Sequence, residues 1–108
     1  MTISAADTVA LTEGELDAVC VQAYTAIPAV AYPGVESWRD HPEWQLCFEG
    51  VSEVIVIADG DEPGRRSAEH VAKSLGFAAR VVELPDGFDS NSYIASRGAN
   101  DYLERIQA

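Results

Sequence analysis

Three short acidic stretches each follow a run that reads as a strand. Glu13 and Asp17 come after Val9-Ala10-Leu11, Asp59 and Asp61 after Val54-Ile55-Val56-Ile57-Ala58, and Asp86 and Asp89 after Val81-Val82-Glu83-Leu84. Carboxylates gathered at one point repel, and they retain protons unless a cation neutralises them. Hard divalent ions take oxygen ligands, so the guest expected for such a cluster is Mg²⁺ or Mn²⁺ before zinc. Two such ions about 4 Å apart activate a nucleophile and stabilise a leaving oxygen in phosphoryl transfer.

Each piece also has a plainer reading. An acid after a strand is often a helix N-cap or a charge favoured by the helix dipole, and for Asp17 or Asp89 alone the two readings stand level. Asp86, in Pro-Asp-Gly, reads first as a turn residue. Glu36, Glu43, Glu62 and Glu69 read as solvated surface, His41 as a loop residue, and His70 as packing or surface. Trp38 and Trp44 read as core or cover rather than a base-stacking platform. Arg65 and Arg66 lie near the start of a helix, against the dipole preference, which makes them candidates for a phosphate contact. Asp59 and Asp61 resist the plain reading best.

The elements that must position these groups follow from the pattern. Val54 to Ala58 is five apolar residues, four of them β-branched, and reads as a strand buried on both faces. Alternation along that strand lets Asp59 and Asp61 point the same way at its C-terminal end. Pro63 suits a first helical turn, and a helix is expected from about there to Leu75, stopped by Gly76. Val9 to Leu11, Pro28 to Tyr32 and Ala79 to Leu84 read as further strands. Leu16, Val19, Cys20 and Ala23 have the spacing of one helical face. Val35 to Phe48 reads as one or two short helices covering the sheet. Asp89 can cap a short helix over Tyr93 to Ser96, and a last helix is expected from about Ala99 to Ile106. Strands alternating with helices imply parallel pairing, which puts all three acidic turns along one sheet edge. In open α/β sheets that edge is where ligands bind.

The 108 residues suit one domain without repeat or internal linker. Eighteen acids against seven Lys and Arg give a net charge of −11, which argues against unaided binding to a polyanion. No apolar run approaches the roughly 20 residues of a membrane span. The start, Met1 to Asp7, lacks the basic and apolar regions of a signal peptide. Cys20 and Cys47 have no metal-ligand spacing and read as buried reduced thiols. The expected compartment is the cytoplasm.

Taken together, these residues resemble the Toprim domain, the metal-binding catalytic module of topoisomerases, bacterial-type primases and some nucleases. Thr12-Glu13-Gly14-Glu15-Leu16-Asp17-Ala18 is similar to the family's glutamate motif. Ala58-Asp59-Gly60-Asp61-Glu62-Pro63-Gly64-Arg65 is similar to its Asp-x-Asp motif, followed by the small residue that lets the helix pack closely. Leu84-Pro85-Asp86-Gly87-Phe88-Asp89 resembles a stretch found in bacterial and phage primases, and Tyr32-Pro33-Gly34-Val35 resembles the segment between motifs in phage primases and primase-helicases. The resemblance covers residues 1–108 as one domain. It implies a Rossmann-like α/β Toprim fold, a small, mainly parallel sheet of about four strands flanked by helices.

The resemblance also implies roles. Glu13 would act as acid/base or metal-positioning group. Asp59 and Asp61 would hold Mg²⁺ or Mn²⁺, with Asp17 and Asp89 contributing directly or through water. Asp86 and Asn91 are secondary candidates; Asn91 stands where primases commonly have a second aspartate, which weakens a second metal. The implied activity is primase-type nucleotidyl transfer, making RNA primers from ribonucleotides on single-stranded DNA during replication. Implied partners are a replicative helicase and the basic and zinc-binding primase subdomains, which this sequence does not contain, so the chain reads as a piece of a larger or split enzyme. The alternatives are a Toprim nuclease and a metal-bearing docking module without turnover. Haloacid-dehalogenase, receiver and P-loop readings fit less well: Glu62-Pro63 follows the aspartate pair, the only lysine is Lys73 within a helix, and no Gly-x-x-x-x-Gly-Lys-Ser/Thr exists.

Overall fold

The alternation of Val, Ile and Ala along the central strand decides the layering. In the computed structural model, which describes residues 7–76 and 78–108, this strand is β3 (Glu53–Ala58). Val54, Val56 and Ala58 pack into one core, while Ile55 and Ile57 pack into another on the opposite face. Because side chains alternate across a strand, a continuous apolar run needs helices on both sides. Strands β1 (Thr8–Thr12), β2 (Ala29–Ala31) and β4 (Ala79–Glu83) complete a four-stranded sheet in the order β2-β1-β3-β4. Every pairing is parallel, with Ala10 opposite Ile55 and Val56 opposite Val81.

One face is covered by α2 (Val35–Asp40), a 3₁₀ helix (Pro42–Phe48) and α3 (Glu62–Leu75). Trp38, Phe48, Ala68 and Val71 fill that core. The other face carries α1 (Glu15–Thr25), α4 (Ser90–Arg97) and α5 (Ala99–Gln107), with Val21, Tyr93, Tyr102 and Ile106 packed on the sheet. Gly76 caps α3 in a positive-φ conformation, as expected of a helix stop. No described helix is long and apolar enough to cross a membrane.

Two expectations are corrected. Helix α1 does not bury the Leu16, Val19, Cys20 and Ala23 face: Leu16 and Val19 are 62% and 64% exposed, and Asp17, Ala18 and Val21 turn inward instead. The apolar stripe on this short helix is diffuse, and Val21, packed into the core with Ala10 and Ile55, sets the buried side instead. Cys47 is exposed and Cys20 half-buried, so the thiols are free but not both buried.

Candidate metal centre

Parallel strands all end at the same sheet edge, so the loops after β1, β3 and β4 meet there. These strands are neighbours in the sheet, which brings their acidic turns side by side. The turn after β3 and the turn after β4 are bonded together. Gly60 N–H donates to the Phe88 carbonyl at 2.8 Å, Gly87 N–H to the Gly60 carbonyl at 2.9 Å, and Leu84 N–H to the Ala58 carbonyl at 3.0 Å. Gly64 lets α3 approach equally closely, since a Cβ there would lie 2.8 Å from Asp61 Oδ1 and 2.9 Å from the Asp59 carbonyl oxygen.

Asp59 is half-buried at the centre of this edge. Burial, and then the charges of Asp17, Asp89, Asp61 and Glu13, push its carboxyl up to about 6. Charges from three turns thus converge on one group. Asp17 is buried, and its carboxyl is raised chiefly by that burial and further by Asp89, against the lowering effect of the Asn91 N–H that donates to its Oδ1 at 2.9 Å.

The other carboxylates are oriented by local donors. Asp61 caps α3, accepting from Gly64 N–H at 2.6 Å. Asp89 caps α4, accepting from Ser92 N–H at 2.8 Å, while its own N–H donates to Ser92 Oγ at 3.0 Å. Glu13 Oε2 accepts from Ser67 Oγ at 3.2 Å. In these orientations no three acidic, histidine or cysteine side chains among the described residues close around a single point. The donor set is all oxygen, and Asp17, Asp61, Asp89 and Glu13 each carry a second oxygen besides the one bonded to a protein donor. That chemistry suits a hard divalent cation better than zinc.

Some sequence expectations change here. Strand alternation does not align Asp59 with Asp61, because β3 ends at Ala58 and both aspartates lie in the turn beyond it. Asp61 is exposed, and Asp17 and Asp89 act on Asp59 more strongly than Asp61 does. Asn91 does not offer its carbonyl to the centre; Oδ1 accepts from the Cys20 thiol at 3.2 Å, and its backbone serves Asp17 instead. Asp86 is a solvent-exposed turn residue 3.4 Å from Arg65 Nη1. Arg65 and Arg66 also lie 3.7 Å and 3.8 Å from Glu62. Exposed ion pairs of this kind contribute about 0–1 kcal/mol, so they are readily exchanged.

Ser67 escaped the sequence reading, and so did the role of Tyr32. The only available signal was the place of Ser67 one turn after Gly64. The Tyr32 hydroxyl lies 3.0 Å from Ser67 Oγ. Burial raises the Tyr32 hydroxyl to about 12, with the Ser67 bond opposing and the charges of Glu13 and Asp59 adding to the rise.

Fold and site together define a Rossmann-like α/β domain with an all-carboxylate centre at its C-terminal sheet edge. A family model described as the Toprim domain matches residues 8–100, and the chain belongs to that family. Among its relatives, the Gene 57 protein of Mycobacterium phage D29 is 43% identical over 97 residues, covering 90% of this chain and 61% of that protein. The DNA primase of Escherichia coli strain K12 is 31% identical over 101 residues, covering 88% of this chain and 17% of the primase. A solved structure of the DnaG catalytic core superposes with a TM-score of 0.76 at 28% identity, covering 94% of this chain and 34% of that one. The chain therefore spans about three-fifths of the phage relative and about one-sixth of the primase.

Proposed function

We propose that this chain is the metal-dependent catalytic core of a DNA primase, a single domain that works within a larger or split enzyme in the cytoplasm. The observation that carries the reading is that adjacent strands β1, β3 and β4 bring Glu13, Asp59, Asp61 and Asp89 to one sheet edge beside buried Asp17, near enough for their charges to act on half-buried Asp59. A carboxyl raised to about 6 by burial and then by its acidic neighbours is relieved of that repulsion when a cation enters. Similarity to bacterial primases over 88% of the chain supports the choice of chemistry.

In this reading Asp59 and Asp61 hold Mg²⁺ or Mn²⁺, and Asp17 and Asp89 contribute directly or through water. Bound there, the ion supplies charge to neutralise the phosphates of a ribonucleotide. Glu13 stands beside the attacking 3′-hydroxyl as acid/base or positioning group. Arg65 and Arg66 exchange their exposed acid partners for phosphate oxygens, and Asp86 and Asn91 orient the turn from outside. The product is an RNA primer on single-stranded DNA. The net charge of −11 assigns template binding to a basic partner subdomain, with a zinc-binding module and a replicative helicase as further partners.

The first test is a thermal melt of the chain across Mg²⁺ and Mn²⁺ concentrations, with Asp59→Asn and the cap-preserving Asp61→Ser beside it. A ligand at about 100 times its dissociation constant adds roughly 2.7 kcal/mol. Wild type should gain stability and both variants should lose the gain. Primer synthesis with the basic subdomain supplied in trans then tests the polymerase. Strand cleavage without nucleotides would assign a nuclease instead, and a wild type with neither response would be a docking module.

A further inference from the structure

We propose that Tyr32 and Ser67 are positioning residues for Glu13, joined to it by a hydroxyl relay that fixes its side chain at the edge of the acidic site. The inference rests on Glu13 being a working group of that site. Tyr32 and Ser67 are 2% and 6% exposed. Their oxygens lie 3.0 Å apart, and Ser67 Oγ lies 3.2 Å from Glu13 Oε2. A serine hydroxyl has one proton, and an ionised carboxylate only accepts. Ser67 therefore donates to Glu13, and Tyr32 must be the donor to Ser67. The direction of the chain is set by its last member.

The relay joins three elements. Glu13 follows β1, Tyr32 follows the neighbouring strand β2, and Ser67 lies in α3, one turn after the Gly64 that lets this helix approach the Asp59 turn. Serines inside helices commonly bond back to a carbonyl of the preceding turn. Ser74 on the same helix does so, donating to Val71 O at 2.7 Å, whereas Ser67 turns its proton to Glu13. The far end is anchored too. The Tyr32 ring meets Trp38 edge-on at a centroid distance of 6.0 Å, and Trp38 Nε1 donates to Ser74 Oγ at 2.7 Å. A buried phenol needs only one acceptor, which Ser67 supplies; passing the bond on to Glu13 holds the half-buried Glu13 side chain from the helix side.

The test uses the whole chain, isotope-labelled, in five forms: wild type, Tyr32→Phe, Ser67→Ala, Glu13→Gln and the Ser67→Ala/Glu13→Gln double variant. Side-chain couplings of Glu13 by NMR without ions should report one staggered rotamer in wild type and averaging in Tyr32→Phe and Ser67→Ala. Calorimetric titration with Mn²⁺ should show affinity about tenfold weaker in Ser67→Ala, the scale of loss for an orienting partner of a metal-site residue. Adding Ser67→Ala to Glu13→Gln should weaken it no further. Unchanged Glu13 couplings, or the same loss in both backgrounds, would overturn the relay. If even wild type takes up no Mn²⁺, the metal reading falls, and the couplings alone decide whether Tyr32 and Ser67 hold Glu13.

Discussion

A Cβ placed on Gly60 would stand 1.9 Å from the carbonyl oxygen of Pro85. The two aspartate turns are pressed together at this point, and only a residue without a side chain fits between them. Real Cβ atoms do not approach a backbone oxygen so closely, so any side chain must push the turn after β3 away from the turn after β4. Their mutual bonds, Gly60 N–H to Phe88 and Gly87 N–H to Gly60, would be lost together.

Gly60→Ala is therefore expected to destabilise the fold by about 2 kcal/mol or more, the scale of forced overpacking with lost hydrogen bonds. It should also remove the Mg²⁺-dependent rise in melting temperature, since it separates Asp59 from Asp89. Urea denaturation measures the first effect, and a variant as stable as wild type would refute the close approach.

The pH dependence of stability should carry the mark of Asp59. Its carboxyl titrates at about 6 when folded against 3.8 ordinarily, so the folded state holds the proton more tightly. The stabilisation is full below about pH 4 and is lost as pH rises through about 6. Asp59→Asn should flatten that decline and raise ion-free stability at pH 7 by on the order of 1 kcal/mol, the shift being discounted for solvent around a half-buried group. Denaturation with EDTA between pH 4 and 8 checks it. Parallel curves for the two proteins would count against the electrostatic picture.

Capping and ion binding can be separated at Asp89. Asp89→Ala removes the cap of α4 and should cost about 1 kcal/mol with or without ions. Asp89→Ser keeps a capping oxygen, so it should hold the ion-free melting temperature while losing part of the Mn²⁺ response. A full response in Asp89→Ser would leave Asp89 as a cap only.

The closing helix depends on Arg80. Its Nε donates to Glu53 Oε2 at 2.8 Å, and its Nη2 donates to the Ile106 carbonyl, so one side chain ties β3 and β4 to the last turn of α5. Arg80→Met should lower stability by about 1 kcal/mol or somewhat more, since the Glu53 pair is half-exposed while the residue at the other end, Ile106, is buried. Amide exchange over residues 103–107 should accelerate, while β3 stays protected; uniform acceleration would mean that the tie is not local.

The sequence by itself determined the layering and the order of elements. A five-residue apolar run has no exposed face to offer, so β3 had to be central and covered on both sides, and its neighbours followed from alternation of strands and helices. It also determined that Glu13, Asp59, Asp61, Asp86 and Asp89 stand in turns at one edge, because parallel strands end together. Asp17 was legible as an acid one turn into α1, but its burial was not, since the apolar spacing of Leu16 and Val19 pointed to another face.

Only the tertiary structure decided which neighbours each acid has. That Asp17 and Asp89 act on Asp59 more than Asp61 does depends on how α1 and α4 are rotated, and no local pattern encodes such a rotation. Asn91 stood as a secondary candidate for the site, yet the first turn of α4 presents its backbone N–H to Asp17, and its side-chain oxygen accepts from the Cys20 thiol. The link from Tyr32 through Ser67 to Glu13 joins residues 35 and 54 positions apart in the chain. Such contacts arise when separate elements pack on one sheet, so spacing along the sequence carries no trace of them.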